Sequence, residues 1–317
     1  MTRTVGPVST LLVAATGGHL AELVRLRPRL DLDGPATWIT SDSEQSRALL
    51  EGERVAHAEN VNPRAYSAVA RNVPLAWRLA GSGATRVIST GSGIALSFLP
   101  LARARGLEVH YIESAARTVG PSLTGRLLGC VPGVRLHAQS PRWAGRRWRY
   151  VGSVWDGYQV MPAEPREGPL RVAVALGTMP FPMRRLVERL VEVVPDDAEV
   201  LVWQTGATPV DGLPIQGRER VSYGALQDAF RAADVVVSHA GVGSALEAMD
   251  ASRSPVLVPR LSRFGEHVDD HQQQVADELG SRGLATVRAA DAITTDDLLA
   301  AARRRVRVRS DPPPITL

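Results

Sequence analysis

Apolar positions along this chain fall into two alternating rhythms. Short runs read as strands: Thr10 to Ala15, Ala36 to Thr40, Arg86 to Ser89 and Val109 to Ile112. Between them, helical spacing runs from Leu20 to about Arg29, from Tyr66 to Ala80 and from Ile94 to Arg105. Another helix is expected after Asp42, which can cap it. Pro74 should kink or break the Tyr66 to Ala80 helix, because proline lacks an N–H and crowds the preceding turn. The second half repeats the layout. Arg171 to Ala175, Glu199 to Gln204, Asp234 to Ser238 and Pro255 to Pro259 read as strands. Met183 to Val193, a segment ending near Ala251, and His271 to Arg282 read as helices. Strands alternating with helices specify an α/β fold with parallel sheets.

Two stretches break the rhythm. Val154 to Pro169 holds Pro162, Pro165, Pro169, Gly157 and Gly168 without periodicity and reads as a linker. Arg303 to Leu317 carries an arginine run and three consecutive prolines and is expected to end disordered. The expected division is residues 1–153, a linker at 154–169, residues 170–302 and a tail at 303–317. Two similar halves suggest two facing Rossmann-like domains with a site in the cleft between them.

Composition narrows the class. The chain has 317 residues, 44 % apolar and 22 % charged, which is ordinary globular usage and excludes a disordered or collagenous chain. No apolar run approaches the ~18–20 residues of a membrane span, and no secretory signal is expected. The single cysteine, Cys130, cannot form an internal disulfide and fits a reducing cytoplasm. All 37 basic residues are arginine, and the net charge is +4. That choice reads either as coding bias towards GC-rich codons or as attraction to anionic lipid or phosphate, which guanidinium binds bidentately. The arginines are scattered and no nucleic-acid-binding signature is present, so no nucleic-acid partner is expected.

Candidate chemistry sits in three glycine loops between strand and helix: Gly17-Gly18, Gly91-Ser92-Gly93 and Gly241-Val242-Gly243-Ser244. Such loops offer backbone N–H groups and a positive helix end to an anion, although glycine also serves turn geometry alone. There is no Walker lysine and no clean dinucleotide fingerprint, which lowers ATP hydrolysis and nicotinamide chemistry. In the third loop Glu247 follows Ser244 by three residues, the spacing of a capping box; a carboxylate there can instead accept hydrogen bonds from a ribose diol. His267 and His271 lie four apart among acids, but Val268 stands where a zincin has glutamate and no third ligand is evident, so no metal is expected. Asp31 and Asp33 read as part of a solvated turn.

These residues carry a resemblance. Gly17-Gly18-His19-Leu20-Ala21-Glu22, Thr90-Gly91-Ser92-Gly93, Tyr111 to Arg117 and Pro121 to Leu128 resemble the membrane-associated subunit of the dolichol-linked N-acetylglucosaminyltransferase and its bacterial polysaccharide counterparts. Leu176-Gly177-Thr178, His239 through Glu247 and Glu266 through Gln272 resemble the catalytic partner subunit and the C-terminal domain of glycosyltransferase family 28. Over roughly residues 8–290 the chain resembles a fusion of the two subunits, similar in layout to the peptidoglycan GlcNAc transferase. That resemblance implies a GT-B fold, a UDP-sugar donor, inverting transfer without a required metal or other cofactor, and a polyprenyl-diphosphate-linked acceptor. It implies that Glu247 binds ribose, that Gly241, Gly243, Ser244 and Thr178 meet the diphosphate, and that Gln272 and Gln273 meet the sugar. Gly177 and His239 belong to the same donor motifs, and Tyr223 borders the uracil more loosely. Gly17, Gly18, Gly91, Ser92, Gly93 and Arg117 belong to the acceptor side. His19 is a candidate for the base or for acceptor phosphate binding.

The chemistry points the same way. Glycosyl transfer needs donors for a leaving diphosphate and a base near the acceptor hydroxyl. His19 can be that base; Glu113, after the strand Val109 to Ile112, could be it instead, or could pair with Arg117. The eukaryotic subunit starts with a membrane helix, absent from this sequence, so a peripheral place at the inner face of the plasma membrane is expected. Three stretches combine apolar residues with arginine: Arg64 to Ala80, with Val69, Val73, Trp77 and Leu79 beside Arg64, Arg71 and Arg78; Leu123 to Leu136; and Pro141 to Tyr150, with Trp143 and Trp148 among four arginines. They suit an anionic membrane interface, or a core with a solvated basic face. Three other readings stand beside the lipid-linked one: transfer to a soluble natural product, UDP-sugar epimerisation, and a sugar-nucleotide-binding scaffold. A homo-oligomer stays open.

Overall fold

The computed structural model describes residues 9–32, 34–61, 65–164 and 166–317, and of Tyr66 only the backbone. Arg3, Asp33, Arg64 and Pro165 lie outside the described residues. The chain forms two compact units, Met1–Val154 with Pro313–Leu317, and Trp155–Pro312.

The first unit is a parallel sheet flanked by helices. In chain order it contains β1 (Thr10–Ala14), α1 (Gly18–Leu26), β2 (Ala36–Thr40), α2 (Glu44–Leu49), β3 (Val55–His57), α3 (Tyr66–Arg71), α4 (Val73–Ala80), β4 (Arg86–Gly91), α5 (Ile94–Ala104), β5 (Glu108–Ile112), α6 (Leu123–Gly129), β6 (Val134–Ala138) and β7 (Trp148–Tyr150). The sheet order is β3-β2-β1-β4-β5-β6-β7, so the chain runs outward from β1, crosses back to β4 and continues the other way. Leu11, Val13, Val87, Val109 and Val134 alternate onto the face covered by Ile94, Phe98 and Leu99 of α5. The expected Tyr66 to Ala80 helix is two helices, with Asn72 between them and Pro74 in the first turn of the second. Asn72 ties the break down: its Nδ2 donates to the Glu59 carbonyl at 2.9 Å and its Oδ1 accepts from the Glu59 amide at 2.9 Å. α2 is capped by Ser43, which forms a reciprocal box with Ser46, and not by Asp42.

The second unit has β8 (Tyr158–Pro162), β9 (Arg171–Ala175), α7 (Arg184–Val193), β10 (Glu199–Gln204), α8 (Tyr223–Ala232), β11 (Val235–His239), α9 (Val242–Asp250), β12 (Val256–Val258), α10 (His271–Ser281), β13 (Thr286–Val287), α11 (Thr295–Ala302) and β14 (Arg304–Val308). Its main sheet has the order β10-β9-β11-β12-β13, with every pairing parallel. Both faces are covered, and each strand alternates between them. Val172, Val174, Val235 and Val237 pack with Leu186 and Leu190 of α7 and Leu298 of α11. Ala173, Ala175 and Val236 pack with Leu226 and Phe230 of α8 and Ala248 of α9. This is doubly wound α/β architecture.

The expected linker and tail are corrected by the structure. Residues 158–162 and 304–308 form an antiparallel pair, Val160 opposite Val306, with Val306 fully buried. Beyond it Ile315 pairs with Leu30 of the first unit, its amide donating to the Arg29 carbonyl at 2.8 Å. Arg29 in turn donates to the carbonyls of Pro313 and Ser153. Single-strand periodicity could not reveal this, because each strand has its partner nearly 150 residues away.

Candidate active site

β9, β11 and β12 are neighbours in one parallel sheet, so the loops leaving their C-terminal ends lie side by side. The loop after β9 holds Gly177 and Thr178, that after β11 holds Gly241, and that after β12 leads to Gln272. Gly241 caps α9 without a side-chain hydrogen bond, so the first-turn amides of Val242, Gly243 and Ser244 form an open positive helix end. Since α9 begins at Val242, Ser244 is its third residue and Glu247 its sixth. The capping-box alternative for Glu247 therefore fails, and Glu247 shares a face with Gly243 one turn below the first-turn amides.

His239 explains two of the glycines. Its ring is wedged between them: a Cβ at Gly177 would fall 2.6 Å from the ring Cε1, and one at Gly241 would overlap Nε2. Gly177 also has φ +74°, a conformation that side chains disfavour. Burial, with the nearby Arg260 charge, pushes the His239 pKa down to about 3, so the imidazole is neutral. Arg260 is a loop-fixing residue that sequence reasoning missed. Its buried guanidinium donates to the carbonyls of Leu176 at 2.7 Å, Phe181 at 2.6 Å and Pro182 at 3.3 Å, fixing the loop that carries Gly177 and Thr178. An arginine directly after an apolar strand and a proline was the available signal.

Of the remaining donor-side candidates, Thr178 is exposed and Tyr223 is half-buried at the start of α8, which packs on α9. Gln273 is half-buried and donates to Asp277 at 2.8 Å. Gln272 is corrected: its side chain is buried, and its Oε1 accepts from the Arg260 amide at 3.0 Å, so it braces the loop.

In the first unit, β1 and β4 are neighbours, and their loops converge on His19. Gly17, with φ +90°, caps α1, Gly18 opens it, and His19 stands in its first turn rather than before the helix. The His19 Nδ1 lies 2.7 Å from the Thr90 carbonyl, which can only accept; Nδ1 therefore carries the hydrogen and the lone pair sits on Nε2. Thr90 Oγ1 donates back to the His19 carbonyl at 2.8 Å. Gly91 has φ +100°, and a Cβ there would crowd the His19 ring and the Tyr111 hydroxyl at 3.2–3.3 Å. Gly93 serves packing, since a Cβ would meet Val61 at 2.6 Å. Ser92 and Arg117 are half-buried.

Glu113 is corrected as a base candidate. It is buried, and four donors take its oxygens: Tyr111 Oη at 3.2 Å, the Ser114 amide at 3.2 Å, and the Ser122 amide and hydroxyl at 2.9 and 3.0 Å. Burial raises its pKa against those bonds and the Arg117 charge. It organises residues 113–122. Glu22, on the buried side of α1, does the same for Ser114, Ala115 and Gln139. Burial raises the Glu22 pKa to about 7. An acid within the apolar face Leu20, Ala21, Leu23, Leu26 was the signal for it.

A third cluster forms where α10 begins. One ligand atom each from His267, Asp269 and His271 lies within 4.8 Å of the other two. The third group missing from the sequence reading is thus Asp269, midway between the histidines.

Comparison with known proteins follows the same division. Residues 171–301 match the glycosyltransferase family 28 C-terminal domain. No curated protein gives a match. Among solved structures the fold is similar to MurG of Acinetobacter baumannii, which is 22 % identical, with 92 % of this chain and 88 % of that chain covered and a TM-score of 0.54. It is also similar to the glycosyltransferase SnogD from Streptomyces nogalater, at 19 % identity, 94 % and 90 % coverage and a TM-score of 0.54. The kitacinnamycin glycotransferase gives 17 % identity, 94 % and 90 % coverage and a TM-score of 0.53. The fold is GT-B, with two Rossmann-like domains, and with the family 28 domain in its second half the chain is a glycosyltransferase.

Proposed function

We propose that this glycosyltransferase moves a sugar from a UDP-sugar, with inversion, onto a polyprenyl-diphosphate-linked acceptor in the assembly of a cell-surface glycan or glycolipid. The observation that carries the donor half is the family 28 match over the unit whose α9 presents an open, glycine-lined N-terminus with Glu247 on the same face. In this reading the amides of Gly243 and Ser244, with Thr178, hold the diphosphate, and Glu247 accepts from both ribose hydroxyls. Tyr223 borders the base, and Gln273 meets the sugar. His239 and Arg260 shape the loops. Donors at a helix end stabilise the charge that develops on the leaving diphosphate.

The first unit supplies the acceptor side. His19, with its tautomer set by Thr90, takes the proton from the attacking hydroxyl through Nε2. Membrane contact is peripheral in this reading, and no helix among the described residues is long and apolar enough to cross a bilayer. The supporting surface is α4 and α6, which both flank α5. They expose Val73, Trp77, Leu123 and Leu127 beside Arg78 and Arg126. Trp143 and Trp148 pack edge to face, and Trp148 packs on the core, so they are not surface anchors. The natural-product glycosyltransferases among the similar structures favour a second reading, transfer to a soluble aglycone.

Calorimetric titration tests the donor assignment. Full-length protein should bind UDP, and Glu247→Gln should bind it about 10- to 100-fold more weakly, the weight of a charge-assisted hydrogen bond of roughly 1.5–3 kcal/mol. Unchanged UDP affinity in the folded variant would overturn the ribose role.

A further inference from the structure

We propose that His267, Asp269 and His271 form a binding site for one divalent ion of the zinc class, a site distinct from the groups assigned to the nucleotide. Two imidazoles and a carboxylate are the donor set that such borderline ions prefer, with a fourth position left for water or another ligand. Bonds of about 2.0–2.2 Å to tetrahedral zinc place ligand atoms roughly 3.3 Å apart. Asp269 Oδ1 already lies 3.3 Å from His267 Nδ1 and contacts His271 Nδ1 directly. The two imidazole rings meet edge to face with centroids 4.6 Å apart. Only short torsional adjustments separate this arrangement from a coordination shell, and Asp269 and His271 are partly exposed. Binding the cation would displace any hydrogen carried on the ligand nitrogens.

Within the cluster the Asp269 amide donates to His267 Nδ1 at 3.3 Å and the His271 amide to Asp269 Oδ1 at 3.5 Å, and bonds to the flanking acids hold the segment in this shape. Glu266, the residue before His267, receives both Nε and Nη2 of Arg185 at 2.7 and 2.9 Å and the Leu261 amide at 3.1 Å. Asp270 Oδ1 accepts from the Ser262 amide at 2.7 Å. Phe181 lies against the His267 ring, with centroids 5.5 Å apart. The neighbouring acids are thus taken by cations and amides, and the turn onto α10 is pinned at both ends. Spacing alone hid the site, because the ligands straddle a turn and the first residue of α10 instead of sharing one helix face.

The test uses the full chain after chelator treatment. Cobalt(II) titration should give visible d–d bands saturating at one ion per chain at micromolar concentration. Zinc should displace the cobalt and release protons, read as a buffer-dependent calorimetric heat. His271→Ala and the near-isosteric Asp269→Asn should each weaken cobalt uptake about 100-fold or more, with far-ultraviolet circular dichroism unchanged. No saturable uptake below millimolar cobalt in the folded wild type would overturn the proposal, as would uptake unaltered in both variants. UDP titration of the same samples separates this site from the donor reading. Retained UDP binding without cobalt uptake overturns the ion site alone; cobalt uptake without UDP binding supports the ion site and overturns the donor assignment.

Discussion

His239 shows how one side chain can dictate its neighbours. Its ring fills the space where both Gly177 and Gly241 would carry a Cβ, so these two glycines answer to an imidazole. Gly241→Ala should destabilise the protein by about 1–3 kcal/mol through overpacking. The added His239→Ala change should recover part of that loss, read by denaturant unfolding of the single and double variants. The same residue predicts an acid limit. Its pKa of about 3 lies below the ordinary histidine value, so the stability it supplies is complete above about pH 6.5 and is lost as pH falls towards 3. His239→Gln should flatten that decline. Glu22 runs the other way. Its raised value, about 7, means that its contribution is complete below about pH 4.5 and is lost as pH rises through 7. The melting-temperature advantage of wild type over Glu22→Gln should therefore shrink between pH 5 and pH 8.5. The glycines, His19, His239 and Glu247 were legible as residues in the sequence. The burial of Gln272 and the saturation of Glu113 were not, because a side chain's partners are set by loops distant in sequence.

The strands legible at the level of elements were those whose apolar runs are long enough to show a pattern. β2, β9 and β10 have the bounds that their apolar runs predict, and Pro74 breaks the helix as expected. β3, β7 and β13 escaped notice because two or three residues give no periodicity. The spacing predicts neither α8 nor α11, and β6 begins inside the Leu123 to Leu136 stretch, whose apolar residues and arginines suit a membrane interface or a core with a solvated basic face. The β8–β14 pair escaped because proline, glycine and arginine mask strands that find each other only in the folded chain. That pair predicts that Val306→Asp, which buries a charge opposite Val160, should destabilise the protein by about 3 kcal/mol or more. Arg307→Ala, on the exposed side of the same strand, should change stability by less than about 0.5 kcal/mol. Equal losses in thermal unfolding would show that the strand's pairing does not depend on the buried valine.

At the scale of the molecule, the proposed reading divides the labour of glycosyl transfer between the two doubly wound units. One holds the open helix end of α9 and the other the His19 loop. The first unit also carries the exposed apolar and basic surface of α4 and α6. Vesicles with anionic lipid should therefore bind the full chain in a salt-sensitive way, with each arginine near the surface adding roughly 1 kcal/mol. Arg78→Glu with Arg126→Glu should abolish co-sedimentation at low salt. Transfer from a UDP-sugar to a lipid-linked acceptor can be measured in a single assay. Full-length protein is incubated with labelled UDP-sugars and a membrane lipid extract, and label is counted in the organic phase. The expected result is organic-phase label from one UDP-sugar, reduced about 10²–10⁴-fold in His19→Ala, and lowered in Glu247→Gln at subsaturating donor. Label that never enters the organic phase, with the sugar carried to a soluble aglycone as UDP is released, would contradict it.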